Sequence, residues 1–141
     1  MVVRTDAISP ALAGDSTLYF ANILKRGSGV WDLELRKAPL GNDPSEALVR
    51  IAGQRIPLRE MNFQVIPSPD GQWLAMPLTD AGTSNIWIIP TGGGPLSRLT
   101  NFSKRPILIA RRVSWSPDSK YLYAAVAESD SDVVLLKGLL P

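Results

Sequence analysis

The chain has 141 residues, 45% of them hydrophobic and 20% charged, which is long and apolar enough to bury a core and excludes a disordered chain. Its 15 basic and 13 acidic residues leave a net charge of +2, and the basic pairs (Lys25-Arg26, Arg36-Lys37, Lys104-Arg105, Arg111-Arg112) are scattered without interleaved aromatics, so nucleic acid is not an expected partner. With no cysteine and no histidine, the chain can build neither a disulfide framework nor a Cys/His zinc site, and it holds no Ser-His-Asp or Cys-His nucleophile.

In chain order, "MVVRTDAISP" carries Arg4 and Asp6 and has no apolar core of signal-peptide length, so the compartment is unknown, and cytoplasmic if Met1 is the true start. "DAISP" (6–10) reads as the remains of a first strand and its turn, "TLYFANI" (17–23) as a second strand, "VWDLEL" (30–35) as a third and "ALVRIA" (47–52) as a fourth. "DPSEALVR" (43–50) also carries helix-start signals, with Asp43 as cap, Pro44 in the first turn and Glu46 three residues after the cap. The repeat described below asks for a strand there instead.

The next four elements are clearer. "NFQVIP" (62–67) is rich in β-formers, and "SPDG" (68–71) is a tight turn in which Pro fixes φ and Asp-Gly accepts positive φ. "QWLAMPL" (72–78) is a strand, "TDAGTS" (79–84) a polar loop, and "NIWIIP" (85–90) a strand apolar enough to be covered on both faces. "TGGG" (91–94) is a turn that lacks the context of a phosphate loop, and "PLSRLT" (95–100) is a fourth short strand begun by Pro95.

The order then recurs: "ARRVSW" (110–115), the turn "SPDS" (116–119), "KYLYAAVA" (120–127), the loop "ESDSD" (128–132) and "VVLLKGLL" (133–140). The acidic loop lacks the glycine and terminal glutamate of a calcium-binding loop, so no metal and no cofactor are expected. The last apolar run is broken by Lys137 and Gly138 and is too short to span a bilayer, so no membrane is expected as a partner.

"VIPSPDGQWLAM" (65–76) and "VSWSPDSKYLYA" (113–124) stand 48 residues apart, a period typical of repeat architectures. Leu18 precedes Leu74 by 56 residues and Trp31 precedes Trp87 by the same interval, which marks an earlier, worn copy. The loop "RKAPLGNDPSE", about eight residues longer than "TGGGP", is expected to account for the drift from 56 to 48.

Four short antiparallel strands per repeat are the content of one β-propeller blade. "SPDGQWLA…SNIWIIPTGGGPLSRLT" resembles the WD40-like repeat of TolB-type propellers, through Ser68-Pro69-Asp70-Gly71, Asn85-Ile86-Trp87, Gly92-Gly93 and Leu99-Thr100, and again through Trp115-Ser116-Pro117-Asp118, Tyr121-Leu122 and Asp132-Val133-Val134. The expected fold is therefore all-β, an incomplete propeller of two clear four-stranded blade-like units (61–102 and 108–140, the latter lacking its outer strand) and one degenerate unit (6–53). Asp70 and Asp118 are expected to bond backbone N–H groups within their own turns as structural punctuation, not as catalysts. Trp31, Trp73, Trp87 and Trp115 are expected to fill space between blades.

Propellers close with four to eight blades, so three leave open ends with exposed apolar faces. The favoured expectation is the C-terminal piece of a longer bacterial protein; self-association into a ring and an open stack are the alternatives. The resemblance implies a non-catalytic interaction or sensor module that binds a protein or peptide partner. The alternative is a non-catalytic propeller segment of a prolyl-oligopeptidase-like serine hydrolase, whose Gly-x-Ser-x-Gly elbow is absent here. Ligand-facing residues are expected in loops at the strand ends, with Arg111 and Arg112 as weak candidates.

Overall fold

The computed structural model describes residues 7–14, 16–41, 44–56, 63–103, 106–128 and 131–136, and of 110–112 and 131–136 the backbone alone. The chain is all-β. Strands β1 (Ala7–Ala13), β2 (Thr17–Lys25), β3 (Trp31–Pro39) and β4 (Glu46–Ala52) form a first sheet in that order, and a 3-10 turn (Gly53–Arg55) follows it. β5 (Ile66–Pro67), β6 (Trp73–Asp80), β7 (Thr83–Pro90) and β8 (Ser97–Arg98) form the second. β9 (Leu108–Trp115), β10 (Leu122–Ala127) and β11 (Ser131–Leu136) form the third, and every pairing is antiparallel between chain neighbours.

Alternation along each strand builds two cores between the three sheets. Tyr19, Ala21, Leu33, Leu35 and Ile51 of the first sheet meet Leu74, Met76, Leu78 and Ile89 of the second. The opposite face of the second sheet, with Ala75, Ile86 and Ile88, meets Ile109, Val113, Leu122, Ala124 and Val126 of the third. The second sheet is thus covered on both faces, which is why its strands read as near-continuous apolar runs.

The first sheet is worn in sequence but complete in structure, and several sequence expectations change there. Of the two readings open for 43–50, the strand holds: Glu46–Ala52 is β4. β1 continues to Ala13, past the turn expected in "DAISP", with a bulge at Ser9-Pro10. The drift from 56 does not arise in "RKAPLGNDPSE", because "RKAP" belongs to β3, and six residues separate β3 from β4 just as six separate β7 from β8. Thr17 pairs with Pro39 and Trp73 with Pro90, so the β2–β3 hairpin spans 23 residues where the β6–β7 hairpin spans 18. The added length lies partly in longer strands and mostly in the tip, 26–30. Trp31 is therefore not the counterpart of Trp87: Phe20 pairs with Arg36 where Met76 pairs with Trp87, which places Arg36 in that position.

Two smaller corrections concern the second sheet. "TDAGTS" is a two-residue hairpin turn, because Ala81 (φ 49°) and Gly82 (φ 80°) both adopt the left-handed conformation that a type I′ turn requires. β8 starts at Ser97, beyond Pro95, and the first strand of this sheet is paired only at Ile66 and Pro67.

The two end faces differ. Leu108, Tyr121 and Tyr123 are exposed on the far face of the third sheet. The far face of the first sheet carries Asp32 and the Arg36–Glu34 ion pair around a buried Phe20, with Leu12 exposed at its edge. The side chains of Leu135 and Leu136, also expected at an open face, lie outside the described residues.

Candidate functional site

The two turns written "SPDG" and "SPDS" have the same internal wiring. In the first, Ser68 Oγ donates to Asp70 Oδ1 (2.5 Å), Gln72 N–H donates to that same Oδ1 (3.1 Å), and Trp73 N–H donates to Ser68 Oγ (3.0 Å). In the second, Ser116 Oγ donates to Asp118 Oδ1 (2.6 Å), Lys120 N–H donates to it (3.2 Å), and Tyr121 N–H donates to Ser116 Oγ (2.9 Å). The serine hydroxyl holds the aspartate below the usual carboxylate range in each turn, with the backbone N–H adding to it and partial burial opposing it. Pro69 and Pro117 start the turns, and each turn ends on a left-handed residue, Gly71 (φ 72°) or Ser119 (φ 61°). Ser119 is buried, and its Oγ accepts the Asp70 N–H (2.9 Å), so one turn is tied to the next.

These turns close the inner strands of the second and third sheets. β1, β5 and β9 are edge strands of their sheets. Together with the turns after β1 and β5, they border an open recess of about 350 Å³ lined by Leu12, Gly14, Ile66, Ser68, Ser114 and Trp115 among others. Every residue on this lining is uncharged. Trp115 crosses between sheets there, its indole N–H donating to the Ile66 carbonyl (3.0 Å). Ser9 Oγ donates to the Phe63 carbonyl and ties β1 to the segment before β5.

The recess lies at the C-terminal ends of β1, β5 and β9 and the turns that follow β1 and β5. Its residues directly precede the repeated turn, in "VIP" before "SPDG" and in "VSW" before "SPDS", so the repeat itself points to them. Arg111 and Arg112 fall in β9 between the pairs Ala110–Ala125 and Val113–Ala124, where the register shifts, and their side chains lie outside the described residues. Ser129 and Asp130 of "ESDSD" lie outside them too, and among the described residues no cluster of acidic residues could hold a metal.

Other polar ties fix the sheets around the recess. Arg55 clamps Asp80 through Nε (2.7 Å) and Nη2 (3.0 Å) and stacks over Trp87 at 4.4 Å, joining the first sheet to the second. Asn85 accepts from Thr100 Oγ1 and Phe102 N–H (2.8 Å each), while Thr100 Oγ1 accepts the Ile86 N–H (2.9 Å). This network anchors the strap that leads to the third sheet. Trp31 and Trp87 pack against the first core, Trp73 and Trp115 against the second, all of them partly buried.

Sheets stacked face to face, joined in chain order and meeting along their inner strands, make an arc of a β-propeller. By structure the chain is similar to TolB from Acinetobacter baumannii, with a TM-score of 0.65 and 19% identity, over 92% of this chain and 29% of that one. At that identity the likeness establishes the fold, and the chain spans less than a third of the solved chain. No family model and no curated protein matches the sequence.

Proposed function

We propose that this chain is a non-catalytic binding module, an arc of a bacterial propeller that takes a protein or peptide segment at the recess bordered by β1, β5 and β9. The observation that carries this reading is the recess itself: about 350 Å³, lined by uncharged side chains along three strand edges. Edge strands offer unpaired backbone N–H and C=O groups, which suit an extended peptide, while the lining supplies no described acid, base or nucleophilic pair. Three sheets among the described residues fall short of the four to eight that close a ring. The same reading therefore has the ring completed by further sheets, from a longer polypeptide or from a second copy. In it the Ser68-Pro69-Asp70-Gly71 and Ser116-Pro117-Asp118 turns are structural and set the height of the recess rim. Arg111 and Arg112, on a strand that borders the recess, are candidates for contact with the bound segment.

The test uses peptides selected on the native chain from a displayed random library. Ser114 is exposed and lines the recess at the edge strand β9, so Ser114→Arg places a long cation at its border without disturbing a core. The variant keeps its β circular dichroism and loses the selected peptides. Retention of those peptides by folded Ser114→Arg contradicts the reading.

A further inference from the structure

The three sheets match position by position through their ladders. Thr17 pairs with Pro39 as Trp73 pairs with Pro90, and the N–H beyond each pair closes the same bond, Leu40 to the Ser16 carbonyl (2.7 Å) and Thr91 to the Gln72 carbonyl (2.9 Å). The repeated turns match Trp73 to Tyr121, since each N–H bonds the hydroxyl of its turn serine. Tyr19, Ala75 and Tyr123 therefore hold one position in successive sheets. Tyr19 is covered by the second sheet (4% exposed) and Ala75 by the third, whereas Tyr123 is 42% exposed. Trp73 packs into the second core, while its counterpart Tyr121 is exposed beside Tyr123. Wherever a sheet follows in the chain, it covers this position.

The first sheet carries the opposite half of the same contact. In the second sheet, Leu74 and Ile89 of the row Pro67–Leu74–Ile89, together with Met76, share the core of Tyr19. The register puts the row Leu12–Leu18–Ala38 of the first sheet in that place, and Phe20 at the place of Met76. Leu12 is 53% exposed. Leu40, 52% exposed, stands where Thr91 meets the Tyr19 hydroxyl. The charges of this face lie further out and are paired, Glu34 with Arg36 and Asp32 with Arg26 and Arg50. We propose that a second copy of this chain covers both ends of the arc. The third sheet of each copy packs on the first sheet of the other, with Tyr121 and Tyr123 against Leu12, Leu18 and Leu40. Two copies of three sheets give six, within the four to eight that close a ring, and a third copy exceeds that range. The head-to-tail contact thus closes on a two-fold axis and occurs twice in each dimer. The closure rests on the propeller arc of the proposed function, not on what the recess binds.

Sedimentation equilibrium of the native chain is expected to give twice the chain mass of 15.3 kDa. Tyr123→Lys and Leu40→Lys change exposed side chains at opposite ends of the arc, outside the recess lining, and keep the β circular dichroism. Each raises the dimer dissociation constant at least about tenfold, because each alters both contacts of its own dimer. A mixture of the two variants forms a mixed dimer that keeps one native contact and is tighter than either variant alone. A monomeric native chain overturns the proposal and leaves the ring to a longer polypeptide, and an open-ended series of larger species overturns the closure. A dimer weakened by Tyr123→Lys but indifferent to Leu40→Lys overturns it too, since that marks two third sheets packed face to face. Ring and recess fail separately: a monomer that loses its selected peptides in Ser114→Arg removes the ring alone, and a dimer that keeps them removes the recess alone.

Discussion

Individual side chains settle how sharply the backbone is specified. A Cβ built on Gly53 would lie 2.1 Å from the Trp31 carbonyl oxygen, and the same residue's N–H serves Asp32. Gly53→Ala is expected to cost about 3 kcal/mol or more by forcing β3 and the 3-10 turn apart, read as a fall in the urea midpoint. Ser119 has the left-handed conformation that glycine prefers, yet keeps a hydroxyl because the neighbouring turn uses it. Ser119→Ala loses that bond and keeps the strain, whereas Ser119→Gly loses the bond and relieves the strain, so the alanine variant is expected to be about 1 kcal/mol the less stable of the two. Asp32, Asp70 and Asp118 all have carboxyls held below the ordinary value of 3.8; at Asp32 burial opposes this, and the Arg50 and Gly53 hydrogen bonds with the Arg26 and Arg50 charges outweigh it. A depressed folded value means that the unfolded chain takes up protons first as pH falls. The stabilisation is therefore complete above about pH 5 and is lost as pH drops through 3.8 toward the folded values. Urea midpoints measured from pH 6 down to pH 3 are expected to show this decline, and Asp118→Asn to flatten it.

Elements are legible where turn chemistry and strand pattern agree, and less so where pairing alone decides. The "SPD" turns can be read from residue types because Ser, Pro and Asp each supply a specific backbone bond or angle. The hairpin between β6 and β7 reads as a loop in sequence because "TDAGTS" is polar, yet Asp80 and Thr83 pair across a two-residue turn. Trp31 misleads in the same way: a matching residue type at a matching interval suggests equivalence, while the longer hairpin has shifted the register. Asn85 and Thr100 both stand in the motif, but their mutual bond spans fifteen residues and depends on how the strap folds back. Thr100→Val is expected to cost about 1–3 kcal/mol, since it strips the Ile86 N–H and the Asn85 carbonyl of a buried partner. The loss is read by chemical denaturation, with protection of the Ile86 amide falling in hydrogen exchange.

For the whole molecule, the arc of three sheets explains both the apolar middle and the recess. The sequence repeat reveals the number of units; which strand edges meet around a common space becomes visible only once the sheets are stacked. Because the second sheet takes part in both cores, Met76→Ala, at a position with no exposure, is expected to cost about 2–5 kcal/mol. In the proposed function, a partner segment binds in the recess beside the repeated turn. Trp115 reports on it directly, since its indole N–H bridges to Ile66 within the lining. The most direct test is a nitrogen–proton correlation spectrum recorded during titration with a library-selected peptide. The Trp115 indole signal and the amides of Leu12, Ile66 and Ser114 are expected to shift together and saturate at one affinity. Saturable binding that leaves these four signals in place would contradict it.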